Sequence, residues 1–188
     1  MIDPTLDLVV RLSLALLFST AAFHKLRDFD SFGMILRDYR LLPQSVIRIA
    51  AVAFVVVETL LAVMLTVGAF RTAVAMSVLG LFACYTTAIS VNLVRGRRDI
   101  GCGCSGAMHK QLITWWLVFR NLLLMVAGAA LAFPVRPRPW QAFDVWTVMA
   151  GVLATSYVYA ASNRLISEWP AHLRIRSRRA AYTAGTIT

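Results

Sequence analysis

The chain has 188 residues, enough for one domain and not comfortably for two. It is 59% apolar, with a mean hydropathy of +0.70 and a formal net charge of +10. Its apolar residues lie in long runs, not short periodic patches, which excludes an ordinary soluble domain. In such a chain excess Lys and Arg report topology, so no nucleic-acid partner is expected and the lipid bilayer is the first partner.

Read from the N-terminus, the runs predict an all-α integral membrane protein, because backbone in hydrocarbon must satisfy its own hydrogen bonds. The fold expected is a bundle of four to five transmembrane helices with an interfacial amphipathic helix after the first. The first run, Leu6–Phe23, carries Asp7 and Arg11 near its start. It is not read as a signal peptide, since no basic segment precedes it and it ends in Phe23-His24-Lys25. Between residues 24 and 48, Leu26, Phe29, Phe32, Ile35, Leu36 and Tyr39 recur at spacings of three and four, the pattern of an interfacial helix. Leu41-Leu42-Pro43 ends it, because the residue before proline avoids helical geometry. This helix either rests on the membrane or serves as a lid over a site at that face.

The second run is Ile49–Val67, interrupted only by Glu58. The tight turn Gly68-Ala69-Phe70-Arg71 then makes it an antiparallel neighbour of the third, Ala73–Val94. Cys84 in that third run is read as a small buried hydrophobe. The fourth run, Leu112–Pro134, carries Arg120 and Asn121, and the fifth is Val145–Ala161. The three prolines of 134–139 make a stiff connection between them. Residues 1–165 are read as the bundle and 166–188 as a basic, flexible tail.

With five spans the loops fall on two faces. The N-terminal face holds Arg71, Arg136 and Arg138. The other holds Lys25, Arg27, Arg37, Arg40, Arg48, Arg95, Arg97, Arg98, Lys110 and the arginines of the tail. Taken alone, the positive-inside rule puts the second face in the cytoplasm. Glu58 and Arg120 both enter from that face, at depths of roughly 13 and 12 Å by the helical rise. An unpaired charge at such depth is costly, so the two are expected to pair. The pair either fixes helix packing or forms a polar floor with Asn92 and Asn121.

The strongest chemical feature is Gly101-Cys102-Gly103-Cys104-Ser105-Gly106. Two cysteines one residue apart can close a small disulfide ring, and the glycines permit the backbone angles it needs. A strained disulfide is readily reduced and so oxidises other thiols. Arg97, Arg98, Lys110, His109 and the N-terminus of the fourth helix all favour the thiolate. Three readings stand: thiol–disulfide exchange, a structural clip, and metal ligation by Cys102, Cys104, His109 and His24, whose spacing fits no common zinc pattern. His24 and Lys25, at the end of the first run, are secondary candidates for proton exchange with a thiol.

Several segments together resemble the MauE family. They are Ala22-Phe23-His24-Lys25-Leu26-Arg27-Asp28, Tyr39-Arg40-Leu41-Leu42-Pro43, Glu58, Asn92-Leu93-Val94-Arg95-Gly96-Arg97, Cys102-Gly103-Cys104 and Arg120-Asn121. The family is similar to the DoxX group, and its arrangement is similar to that of the four-helix vitamin K epoxide reductases. The resemblance implies a multi-pass protein of the bacterial inner membrane that assists disulfide formation in an exported, disulfide-rich protein, the small subunit of methylamine dehydrogenase. It implies a thioredoxin-like partner, MauD, and Cys102 and Cys104 as the redox pair. His24, Lys25, Glu58, Arg97, Arg120 and Asn121 support them. A quinone is a candidate electron acceptor, with no cofactor fixed. That role wants the cysteines outside the cytoplasm, whereas the basic residues count the other way, so the side of the loop stays open. Two other readings are a non-catalytic assembly factor, whose cysteines only brace a loop, and a transporter built on Glu58 and Arg120.

Overall fold

The computed structural model describes the backbone of residues 1–98, 100–102 and 112–185, with side chains up to Leu165. Among the described residues the structure is helical: α1 (Pro4–Arg27), α2 (Phe29–Tyr39), a 3-10 turn (Gln44–Val46), α3 (Ile47–Val67), α4 (Arg71–Val94), α5 (Trp115–Ala130) and α6 (Ala142–Gly185). Four helical segments, Pro4–Arg27, Gln44–Val67, Arg71–Val94 and Ala142–Leu165, are long and apolar enough to cross a membrane. The protein is a multi-pass membrane bundle.

Each boundary has a local cause. The Asp3 carboxylate accepts from the Thr5 N–H at 2.8 Å and Pro4 opens α1. Basic His24, Lys25 and Arg27 close it, matching the helix dipole. The helix thus runs one turn beyond the apolar stretch that ends at Phe23. Asp28 caps α2 through the Ser31 N–H, and Arg40 ends it in the left-handed region at φ 50°. Gly68 ends α3 at φ 80°. There Arg11 of α1 donates to the carbonyls of Leu65 at 3.0 Å and Thr66 at 3.1 Å, filling acceptors left open at the helix end.

The fourth span is shorter than the apolar run Leu112–Pro134 suggests. α5 has 16 residues, about 24 Å of helix. Leu112 bridges to Gly101, and the Ile113 N–H donates to the Ile100 carbonyl at 3.0 Å. Leu112 and Ile113 are thus paired back to Gly101 and Ile100 outside any helix, and the helix begins at Trp115.

α1 packs against α3 and α6, α4 against α5, and α2 against α3. The principal core joins Leu14 and Phe18 of α1, Leu61 and Leu65 of α3, and Val78 and Phe82 of α4. Phe18 and Phe82 meet at 5.4 Å between ring centroids. Outward, Ile49, Val52, Val56, Leu60, Val63 and Val67 line one face of α3 and are exposed. A continuous apolar stripe of this kind belongs against lipid.

Candidate functional site

The segment leading to the cysteines is pinned before it leaves the bundle. α4 ends at Val94, Gly96 turns at φ 74°, and the Arg97 N–H donates to the Asn92 carbonyl at 3.0 Å. Asn92 is fully buried; its amide donates to the Ala88 carbonyl at 3.1 Å and its side-chain oxygen accepts from the Arg97 guanidinium at 3.4 Å. Arg97 is therefore a local brace of the turn. Ile100 and Ile113 then pack with Tyr39, Ile89, Leu93 and Leu117 into a second, smaller core, and Cys102 lies against it. Cys102 is half-buried. Cys104, His109 and Lys110 lie outside the described residues, as do the side chains of the tail from 166 on.

Beside Cys102 an apolar cavity of about 560 Å³ opens between α2, α3 and α4. Phe32, Ile35 and Tyr39 of α2 form one wall, Phe54 and Val57 of α3 another, and Cys84, Tyr85 and Ala88 of α4 the third. The amphipathic helix expected between residues 24 and 48 is α2, and it lies beside Cys102. Cys84 is a correction: it is exposed and lines this cavity, where a small buried hydrophobe was expected. Sequence cannot separate the two places, because lipid-facing and core-facing positions are equally apolar.

The buried charges are also paired differently from expectation. Glu58 pairs with Lys25, each about 1% exposed at the side chain, and not with Arg120. The Tyr85 hydroxyl donates to Glu58 Oε1 at 2.6 Å and accepts from Lys25 Nζ at 2.9 Å. Lys25 also lies 4.9 Å from the centroid of the Phe32 ring and 5.0 Å from that of Tyr85, both cation–π contacts. Glu58 Oε2 is buried and has no partner among the described residues. Arg120 instead donates to Asn163 Oδ1 of α6 at 2.7 Å, reaches Asn121 at 3.5 Å and stacks over Tyr159 at 5.1 Å. The reason is helix order. Equal depth does not make neighbours: α3 packs on α1, while α5 packs on α4. Lys25 reaches Glu58 because α1 continues past the apolar run and turns that residue inward. His24, one position earlier, points away and is exposed, with its ring near Phe23.

The opposite face holds a network of which only isolated members, Asp7 and Arg11 among them, stand out in the sequence. Arg71 makes a two-pronged pair with Asp7 at 2.7 and 2.9 Å. Arg138 joins Asp3, Thr5 and Asp144 at 2.7–3.1 Å. Ile2 pairs with the chain around Val135, donating to the Pro134 carbonyl at 2.9 Å and accepting from Arg136 at 2.8 Å. This ties the N-terminus to the proline-rich connection. The Arg138 guanidinium holds the Asp3 carboxyl down at about 2, and the two carboxylates raise Arg138 in turn. The available signal was the excess of acidic residues at the starts of α1 and α6, each matched by an arginine in a nearby turn.

A family model described as methylamine utilisation protein MauE matches residues 3–134. The chain belongs to the MauE family. It is 37% identical to the methylamine utilization protein MauE of Paracoccus denitrificans over 132 residues, 70% of this chain and 71% of that protein. To the MauE of Paracoccus versutus it is 36% identical over 159 residues, 84% and 83% of the two chains. To that of Methylophilus methylotrophus it is 31% identical over 168 residues, 87% of each. No solved structure matches. The stretch matched to MauE contains the cysteine loop, Lys25, Glu58, Tyr85 and Arg120. It stops before α6, which supplies Asn163 and Tyr159 to Arg120.

Proposed function

We propose that this MauE-family chain is a thiol–disulfide oxidoreductase of the bacterial inner membrane that serves methylamine utilisation. Its substrate is an exported, disulfide-rich protein similar to the methylamine dehydrogenase small subunit, and it works with a thioredoxin-like protein of the MauD kind. The observation that carries the reading is the seat of Cys102. The loop bearing it is fixed by backbone bonds from Arg97 to Asn92 and from Ile113 to Ile100, and it stands on a packed apolar floor at one end of the bundle.

In the proposed step a thiolate of the client or partner attacks one sulfur of the Cys102–Cys104 disulfide. One S–S bond breaks and a mixed disulfide forms. The second client thiol, as thiolate, then attacks that mixed disulfide. The client leaves with a disulfide, while Cys102 and Cys104 become a dithiol and hold the electron pair. Arg97 adds positive charge near the thiolate. Lys25, Glu58 and Tyr85 hold α1, α3 and α4 together beneath the loop, and Arg120, bonded to Asn121, attaches α6 through Asn163.

The test is thiol trapping in intact cells with a membrane-impermeant alkylating reagent. The proposal expects Cys102 and Cys104 to be labelled only after reduction, as an extracytoplasmic disulfide. Two free thiols that label only after permeabilisation would sink it. Cys104→Ser should abolish client maturation at a normal membrane level. A variant that keeps function would favour an assembly factor whose cysteines only brace the loop.

A further inference from the structure

We infer that Cys84 is a resolving thiol for Cys102: it displaces a client from a Cys102 mixed disulfide and forms a Cys84–Cys102 disulfide across the cavity between α2, α3 and α4. The inference rests on the thiol–disulfide reading of Cys102 and gives a role to a cysteine that the proposed step leaves idle.

The two cysteines border one space. Both line the cavity of about 560 Å³. Its α4 wall is the stripe Ser77, Gly80, Leu81, Cys84, Tyr85 and Ala88, the three- and four-residue spacing of a single helix face. Ala88 and Cys102 pack against the same small core. Cys84 stands one turn before Ala88, about 6 Å along the axis at the helical rise. Along the row Gly80, Cys84 and Ala88 the side chains are small, so the row leaves open the space that Cys102 borders. Cys84 is itself exposed and a free thiol.

Cys102 is also the first residue past the point where its loop is held. Gly101 bridges to Leu112 and the Ile113 N–H bonds the Ile100 carbonyl, and Cys102 follows directly. A disulfide needs the two Cβ atoms about 4 Å apart. Cys102 comes within that range by moving toward Ala88, into the cavity.

In the step, the Cys84 thiolate attacks the Cys102 sulfur of a Cys102–client disulfide. The Cys84–Cys102 bond forms and the Cys102–client bond breaks. The client leaves as a thiolate and takes up the proton that Cys84 gave up. The number of disulfides is unchanged, so the step consumes no oxidant. It frees a client that has only one thiol within reach, which the second client thiol cannot do.

The test uses the full-length Cys104→Ser protein in detergent micelles, treated with a single equivalent of dithiodipyridine. Cys102 should take the pyridyl adduct and then lose it as thiopyridone, leaving Cys84 and Cys102 peptides joined in a non-reduced digest read by mass spectrometry. Cys84→Ser with Cys104→Ser should hold the adduct at least about tenfold longer, because tethered groups meet at roughly millimolar effective concentration and micromolar protein does not match that. Adding Gly80→Cys to that double variant moves the thiol one turn away and should not restore the loss. A Cβ at Gly80 meets no atom within 4 Å, so that change tests position and not packing. An adduct that persists in Cys104→Ser as long as in the double variant overturns the inference and leaves the thiol reading standing. So does equal loss with the thiol at residue 80, or joined peptides that form only after unfolding in dodecyl sulfate. If Cys102 takes no adduct at all, the thiol reading fails and this inference fails with it.

Discussion

Replacing Lys25 by Met removes the ammonium from a pocket in which both charges are about 1% exposed. Glu58 then keeps only the Tyr85 hydroxyl on Oε1, with Oε2 already lacking a partner among the described residues. Breaking a buried pair from one side leaves an uncompensated charge and costs about 3–5 kcal/mol. Removing both charges costs far less, since a well-packed apolar pair of similar volume is often neutral. A double-mutant cycle on Lys25→Met and Glu58→Met should therefore return a coupling of about 2–4 kcal/mol. The same cycle on Arg120→Met and Glu58→Met should return less than about 0.5 kcal/mol, the additivity of independent sites. The assay is reversible unfolding in mixed micelles, followed by helical circular dichroism. Strong coupling of Glu58 to Arg120, or a cost below about 1 kcal/mol for Lys25→Met alone, would refute the pairing and the helix order behind it.

Tyr85→Phe takes one hydrogen bond from each member of the same pair and should cost about 1.5–3 kcal/mol in that unfolding assay. Gly128→Ala should be destabilising by about 1–3 kcal/mol, because a Cβ there would lie 2.7 Å from Val78 Cγ1 across the α4–α5 contact. Gly80→Ala should instead be neutral or stabilising by up to about 1 kcal/mol, the helix preference for alanine; equal costs at the two glycines would count against the packing of α4 on α5. At the N-terminal face, Asp3 titrates at about 2 in place of 3.8 because Arg138 bonds its charged form. A lowered carboxylate stabilises the fold above its unfolded value and loses that contribution as pH falls through the folded one. The tie between the N-terminus and the 134–139 connection should thus be intact at pH 4 and above and weaken toward pH 2, read as hydrogen exchange at the Ile2 and Arg136 amides. Protection lost already between pH 6 and 4 would contradict it.

The spans were legible because hydropathy is a one-dimensional signal, and four of the five expected runs form helices long enough to cross a membrane. The amphipathic helix was legible from spacing alone. The fourth run misled at its start. Leu112 and Ile113 are as apolar as the helix they precede, and only their pairing with Gly101 and Ile100 keeps them outside it. The cysteine loop stood out by composition, yet the floor beneath it, from Tyr39 on α2 to Leu117 on α5, joins residues far apart in the chain.

The sequence by itself determined that this chain crosses the membrane several times, that Glu58 and Arg120 are charges at depth, and that Cys102 and Cys104 share a glycine-rich stretch of sequence. Hydrophobic length and residue chemistry fix those facts without reference to any neighbour. Only the tertiary structure decided that Glu58 belongs to Lys25 and Tyr85, that Arg120 belongs to α6, and that Cys84 faces a cavity. Those outcomes depend on which helix stands beside which and on the direction each face is turned. In a bilayer, hydropathy carries little of that information, because lipid and protein interior are equally apolar solvents for a side chain.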